Sequence, residues 1–306
     1  MRTNLIFTAM LAVMASQVYG QDLNAAVAAQ VGDFAQPQDA APSPDGNVFY
    51  FTGIGPNGAG VFRVASAGGA VTQVAVGRPF VRPVGLTVSA DGSTVYVADP
   101  DAWARNGQVG QIFSVPAAGG TPQQVLGAQG TGARGIEAVT EGGQEFLYFT
   151  GHDPKGRAVG VYKLPASGAN APSTILEGAP LVDPEGVAVG RSGAVYVADH
   201  GLQSFAGSVY KIDGGKVSTI VELMRAGSPA GIAVSMDESR LLVSTLQPYK
   251  NRAQVLIVDL ATLDLSASTT TVGKIPGAGG LHRARNAAIY AWCGAPRGPV
   301  YNITGF

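Results

Sequence analysis

The sequence predicts an all-β fold, a β-propeller of six four-stranded blades, and three observations carry the prediction. One strand-and-turn unit recurs along the 306 residues. The recurrence has a period of about 45 to 51 residues, the range in which four-stranded blades repeat. The last copy lacks an outer strand, and the N-terminal segment contains one that fits.

The clearest unit runs from Asp183 to Ile220, DPEGVAVGRSGAVYVADHGLQSFAGSVYKIDGGKVSTI. Gly186–Val189 reads as a first strand, and Gly190-Arg191-Ser192-Gly193 turns it around. Ala194–Ala198 is the second strand, with Val195 and Val197 alternating against Tyr196. A longer loop, Asp199–Gly207, leads to a third strand at Ser208–Ile212. Asp213-Gly214-Gly215 turns this into a fourth at Lys216–Ile220. Runs of β-branched and aromatic residues between Gly, Asp and Ser clusters are the signature of strands and hairpins.

The other units follow in order. The first is degenerate, QDAAPSPDGNVFYFTG from Gln38, and the second is PVGLTVSADGSTVYVADP from Pro83. The third is ARGIEAVTEGGQEFLYFTG from Ala133, and the fifth is PAGIAVSMDESRLLVST from Pro229. The sixth, GGLHRARNAAIYAWCG from Gly279, has strands near Leu281–Ala284, Ala288–Trp292 and Val300–Thr304 before the sequence stops at Phe306. Equivalent positions are Asp39, Gly85, Gly135, Gly186, Gly231 and Gly280. The segment Ala25–Val31 resembles the outer strands of other blades, so it is expected to complete the sixth blade and close the ring. Closure removes exposed sheet edges.

Composition agrees with this. Only 13% of residues are charged, against about a quarter in ordinary domains, as suits sheets packed on both faces. Net charge is −1, which excludes the basic footprint of a nucleic-acid binder. Residues 1–20 read as a secretory signal: Arg2 is the positive charge, Leu5–Ala15 the apolar segment, and Val18-Tyr19-Gly20 the small-residue site before Gln21, with Ala15 a second candidate site. The apolar run is too short to span a membrane. The expectation is therefore an exported protein, periplasmic or secreted, with residues 21–306 forming one monomeric propeller. Cys293 is the single cysteine, so no internal disulfide can form. Asn302-Ile303-Thr304 is a glycosylation sequon inside a predicted strand and is expected to be silent.

Topology sorts the loops onto two faces. Short turns such as SPDG, SADG and GRSG lie on one face, and their chemistry is turn chemistry. The longer loops from strand two to strand three, and from blade to blade, lie on the other. Long loops on a rigid scaffold are where function sits, so that face is the candidate site. Two sets of positions should ring the opening there. One precedes the first-strand glycine: Gln38, Val84, Arg134, Glu185, Ala230 and Gly279. The other follows the second strand: Gly53, Asp99, Gly151, Asp199, Thr245 and Cys293.

Each candidate has a chemical and a purely structural role open to it. Glu185 over the channel can act as a metal ligand or base, or simply pair with Arg134. Asp99 and Asp199 share the context VYVAD; they can bind a cation, or accept backbone N–H bonds where a loop starts. His152 and His200 occupy equivalent positions and can serve as bases or ligands, or sit idle in surface loops. Trp103, Phe205 and Tyr249, with Arg105, Lys155 and Arg252 nearby, offer an aromatic and basic rim for a small ligand. The GxGxxG matches at Gly53–Gly58 and Gly130–Gly135 open no predicted helix and are discounted.

The pattern PxGxxVxxxGxVYVAD…GxVYKID resembles the six-bladed propellers of the NHL-repeat type and of the senescence-marker protein and gluconolactonase family, over nearly the whole mature chain. The resemblance implies hydrolysis of a lactone by one divalent cation, held by Glu, Asn and Asp at pre-glycine positions. Carried onto this chain, Glu185 is the one carboxylate of that set. Gln38 stands where a Glu would serve, Arg134 would repel a metal, and Val84, Ala230 and Gly279 offer no side-chain ligand. Asp99 and Asp199 are the substitutes. The expectation is a lactonase-like hydrolase: Ca²⁺, Mn²⁺ or Zn²⁺ on Glu185, Asp199 and Asp99, with His200 or His152 activating water and Gln38, Arg134, Trp103 and Tyr249 on the substrate rim. The alternative is a non-catalytic propeller that binds a small molecule or another exported protein.

Overall fold

A computed structural model of the chain describes residues 18–19, 23–30, 32, 34–104, 107–155, 157–203, 206–268 and 277–306. Most of the expected signal segment, and the rim residues Arg105 and Phe205, lie outside the described residues.

The chain forms six antiparallel sheets arranged as a propeller. Blade one comprises strands Ala40–Pro42, Val48–Gly55, Gly58–Ala65 and Thr72–Val76. Blade two comprises Gly85–Val88, Thr94–Trp103, Val109–Pro116 and Gln123–Gln124. Blade three comprises Ile136–Glu141, Gln144–His152, Val159–Pro165 and Ser173–Glu177. Blade four comprises Pro184–Val189, Val195–Asp199, Gly207–Asp213 and Lys216–Met224. Blade five comprises Ile232–Val234, Arg240–Leu246, Ala253–Asp259 and Leu265–Ser268, with Val18–Tyr19 added in parallel on its outer edge. Blade six comprises Leu281–Arg283, Ile289–Cys293 and Val300–Thr304, and its outer strand is Asn24–Ala29. The expected closure is thus present: Ala25 pairs with Ile303 and Val27 with Tyr301. Each blade's innermost strand packs against its neighbours' in order, and blade six returns to blade one.

The core follows from this ring. Six clusters of buried apolar residues lie among the described residues, each between two adjacent blades. Between blades five and six, for example, Leu242 and Val255 pack with Tyr290 and Trp292. Each fully buried side chain of this size is worth about 1.5–3 kcal/mol, which explains how a chain without disulfides can hold the ring.

The SPDG, SADG and SMDE turns are one device built three times. Ser43, Ser89 and Ser235 each donate a hydroxyl hydrogen bond at 2.6 Å to Asp45, Asp91 and Asp237. The same serine oxygens accept from the backbone N–H of Val48, Thr94 and Arg240, which opens the second strand. The loops of blades one and three are shorter than the sequence suggested. Gly53–Gly60 is an extended hairpin, because Gly53, Ile54 and Gly55 keep pairing with Gly60, Ala59 and Gly58.

At the axis, Asp39, Gly85, Gly135, Gly186, Gly231 and Gly280 form a waist. A Cβ on Gly85, Gly135 or Gly186 would overlap the backbone carbonyl of Arg134, Glu185 or Ala230 on the next blade. Only glycine lets the inner strands approach this closely. Asp39 takes the sixth place, and its carboxylate fills the space a Cβ on Gly280 would need. The waist lines only a small cavity, of about 10 Å³, and narrows the channel between two mouths.

Candidate functional site

The first mouth is on the long-loop face. Arg134 Nη1 lies 2.6 Å from Asp183 Oδ1 and 3.3 Å from Glu185 Oε1. Glu185 also accepts from Ser228 Oγ at 3.2 Å and from the Ala230 backbone N–H at 3.1 Å. His200 Nδ1 is 3.9 Å from Asp183 Oδ2 and 3.0 Å from the Gly201 carbonyl. Burial lifts the Glu185 carboxyl above its usual range, against the pull of Arg134. The fold therefore brings three expected residues, Glu185, Arg134 and His200, to one place. It adds Asp183 and Ser228, which the sequence reading did not single out.

Asp99 and Asp199 are placed alike, and both carboxylates are taken up by backbone N–H groups. Asp99 accepts backbone N–H bonds from Val81, Arg82 and Asp101. Asp199 accepts them from Val182, Asp183 and Gly201. Each carboxylate ties the incoming blade connection to the outgoing loop. Burial raises the Asp99 carboxyl, partly offset by those N–H groups. His152 sits against Gly132, with Nδ1 3.2 Å from the Asp153 carbonyl. Gln38 is half-buried and donates to the Gln36 carbonyl. Trp103 and Tyr249 are 67% and 82% exposed. Cys293 is fully buried in the core between blades six and one, and burial pushes its thiol well above the usual range.

The implied divalent cation does not fit these residues. Asp99 and Asp199 are each committed to three backbone donors, and Glu185 already holds an arginine, a hydroxyl and a backbone N–H. Among the described residues no group of three His, Cys, Asp or Glu side chains is arranged to hold a metal ion.

The second mouth, on the short-turn face, was not anticipated. It is a cavity of about 460 Å³. Its innermost ring is the residue two places after each waist position: Ala41, Thr87, Glu137, Ala188, Ala233 and His282. The same repeat that marked the pre-glycine ring marks this one, but its residues carry no shared type. His282 Nε2 is 3.0 Å from Asp39 Oδ2, and its Nδ1 is 3.6 Å from Glu137 Oε2. Burial would push the imidazole down; the Asp39 and Glu137 carboxylates outweigh it and raise the value to about 10. His282 is therefore a cation at neutral pH.

No helix among the described residues is long and apolar enough to cross a membrane. The sequence matches no protein-family model, and a search of characterised proteins finds no match. The fold is similar to a gluconolactonase from Xanthomonas campestris, at 16% identity and TM-score 0.61 over 96% of this chain and 92% of that one. It is similar to the PQQ-bound aldose sugar dehydrogenase of Streptomyces coelicolor, at 13% identity and TM-score 0.63 over 94% and 99%. It is also similar to a TolB-type protein of Agrobacterium tumefaciens, at 12% identity and TM-score 0.61 over 93% and 100%. At these identities the likeness establishes the six-bladed propeller and nothing finer.

Proposed function

We propose that this chain is a binding propeller whose long-loop face engages another protein, exported with it if residues 1–20 act as a signal. One observation carries the reading. Six large apolar side chains are exposed on that face: Ile54 and Trp103 at the ends of their second strands, Leu202 and Tyr249 in the strand-two-to-three loops, and Val81 and Val182 in the blade connections. Apolar groups gathered on one face mark interaction surfaces. Asp99 and Asp199 hold the backbone N–H groups of Val81 and Val182, so the carboxylates expected to bind a cation instead fix the display of this surface.

The test is proximity crosslinking in the native host, comparing the wild type with a Trp103→Ser, Leu202→Ser, Tyr249→Ser variant. A discrete crosslinked partner that disappears in the variant, with unchanged melting temperature, is the expected outcome. Crosslinks identical in both proteins sink the reading.

Lactone hydrolysis is the second reading. It is favoured by the buried Glu185 beside Arg134, Ser228 and His200, and by the gluconolactonase among the structural neighbours. Here Glu185 would act as base and Arg134 would hold the carbonyl oxygen. A lactone panel with and without Ca²⁺, Mn²⁺ and Zn²⁺ decides it: turnover lost in Glu185→Gln establishes the hydrolase, and no turnover under any condition removes it.

A further inference from the structure

The cavity on the short-turn face carries an inference independent of the loop face. Its carboxylates are all paired. Glu137 faces His282, Glu141 takes Lys163 and the Tyr148 hydroxyl, and Glu238 faces Arg191. Its two remaining cations are not. Arg283 donates to the carbonyls of Val234, Ala284 and Arg285 and to Met236 Sδ. Arg285 reaches from blade six to blade three and donates to the Ala138 carbonyl at 2.8 Å. Among the described residues neither guanidinium has a carboxylate partner. Two guanidinium groups that line one cavity and meet no carboxylate among the described residues are suited to receive an anion.

The opposite pole has the reverse sense. His282 serves two carboxylates, Asp39 and Glu137. Asp39 is further satisfied by the N–H groups of Ala40 and Leu86. Among the described residues the Glu137 carboxylate has no other hydrogen bond, and its contact with His282 is long, at 3.6 Å, so it retains capacity to accept from a ligand. The floor therefore presents an acceptor and the rim presents donors. The cavity's volume of about 460 Å³ lies within the range of about 300–1,000 Å³ typical of small-molecule sites.

We infer that this cavity binds a small carboxylate bearing a nearby hydrogen-bond donor, an amino acid or a hydroxy acid. The ligand's carboxylate meets Arg285 and Arg283, and its ammonium or hydroxyl donates to Glu137. The cavity opens on the short-turn face, by which the ligand enters and leaves.

The experiment is a thermal-shift and calorimetric titration of the purified full chain at constant ionic strength. The probes are L-alanine and L-serine, L-lactate and L-malate, propionate as a carboxylate without a donor, and glycerol as a donor without charge. The expected result is a rise in melting temperature with the amino acids or the hydroxy acids, and none with glycerol. Whichever of the two classes shifts the midpoint identifies the donor. Arg285→Gln should weaken the binding by about tenfold or more, a loss of about 1.4 kcal/mol. Glu137→Gln should reduce the preference for the donor-bearing acids over propionate. Arg285→Lys, which keeps the charge, provides the rim variant if Arg285→Gln does not fold. The inference is overturned if no carboxylate shifts the midpoint at millimolar concentration. Binding that survives the rim variants and Glu137→Gln undiminished overturns it equally. None of these probes or variants addresses the loop face, so failure here leaves the protein-binding reading to its own test.

Discussion

Nδ1 of His282, on the sixth blade, faces Oε2 of Glu137, on the third, at 3.6 Å across the propeller axis. The same imidazole reaches Asp39 of the first blade through Nε2, so one side chain joins three blades near the waist. The imidazole holds its proton to about pH 10 in the folded chain, against a usual 6.5. The folded state thus binds a proton that the unfolded state releases. Its stabilising contribution is complete below pH 6.5, declines as pH rises, and is gone above 10. Urea midpoints measured from pH 6 to 10.5 should fall more steeply for the wild type than for His282→Gln. Parallel slopes would show that His282 is not the linked group.

Glycine at the waist is predicted to be irreplaceable. In Gly186→Ala the new Cβ overlaps the Ala230 carbonyl, which belongs to the next blade's backbone and cannot swing aside. The expected cost is about 2 kcal/mol or more, read as a lower denaturant midpoint. Gly193→Ala, with open space around its Cβ but φ +87°, should cost only about 1 kcal/mol.

Asp99→Ala removes the acceptor of three partly buried backbone N–H groups, at Val81, Arg82 and Asp101. Unsatisfied donors of this kind cost about 1–3 kcal/mol, and the blade connection around Val81 should become exchange-competent. Hydrogen exchange resolved to residues 79–84 checks this. Protection unchanged by Asp99→Ala would show that the carboxylate does not anchor the connection.

Acid stability should track the serine–aspartate turns. Hydrogen bonds from Ser89 and Ser93 hold the Asp91 carboxyl down to about 2, and those from Ser235 and Ser239 do the same for Asp237. Depressed carboxyls stabilise the fold above their unfolded value, and the contribution is lost as pH falls from about 4 toward 2. An Asp91→Asn, Asp237→Asn variant should show a shallower loss of melting temperature over that interval.

Much of the fold was legible in the sequence because propeller repeats are local. The strands Val195–Asp199 and Gly207–Asp213 announce themselves through alternation and the turns that bound them. The N-terminal outer strand was legible too, since the sixth repeat ends one strand short. The candidate site was legible only in part. Repeat register put Glu185, Arg134 and His200 on one face, and the structure brings them together. The same register could not say that Asp99 and Asp199 turn into their loops, because an identical VYVAD context fits a ligand and a loop anchor equally well.

The sequence by itself determined the number of blades, the way the ring closes and the positions that crowd the axis, because each depends on spacing and local turn chemistry. Only the tertiary structure decided which mouth holds a cavity and which charges meet in it. His282 and Glu137 stand on opposite blades, and Arg285 and Ala138 likewise. Their proximity is a property of the closed ring, where curvature brings strands far apart in the chain to a common axis, and no local pattern encodes that distance.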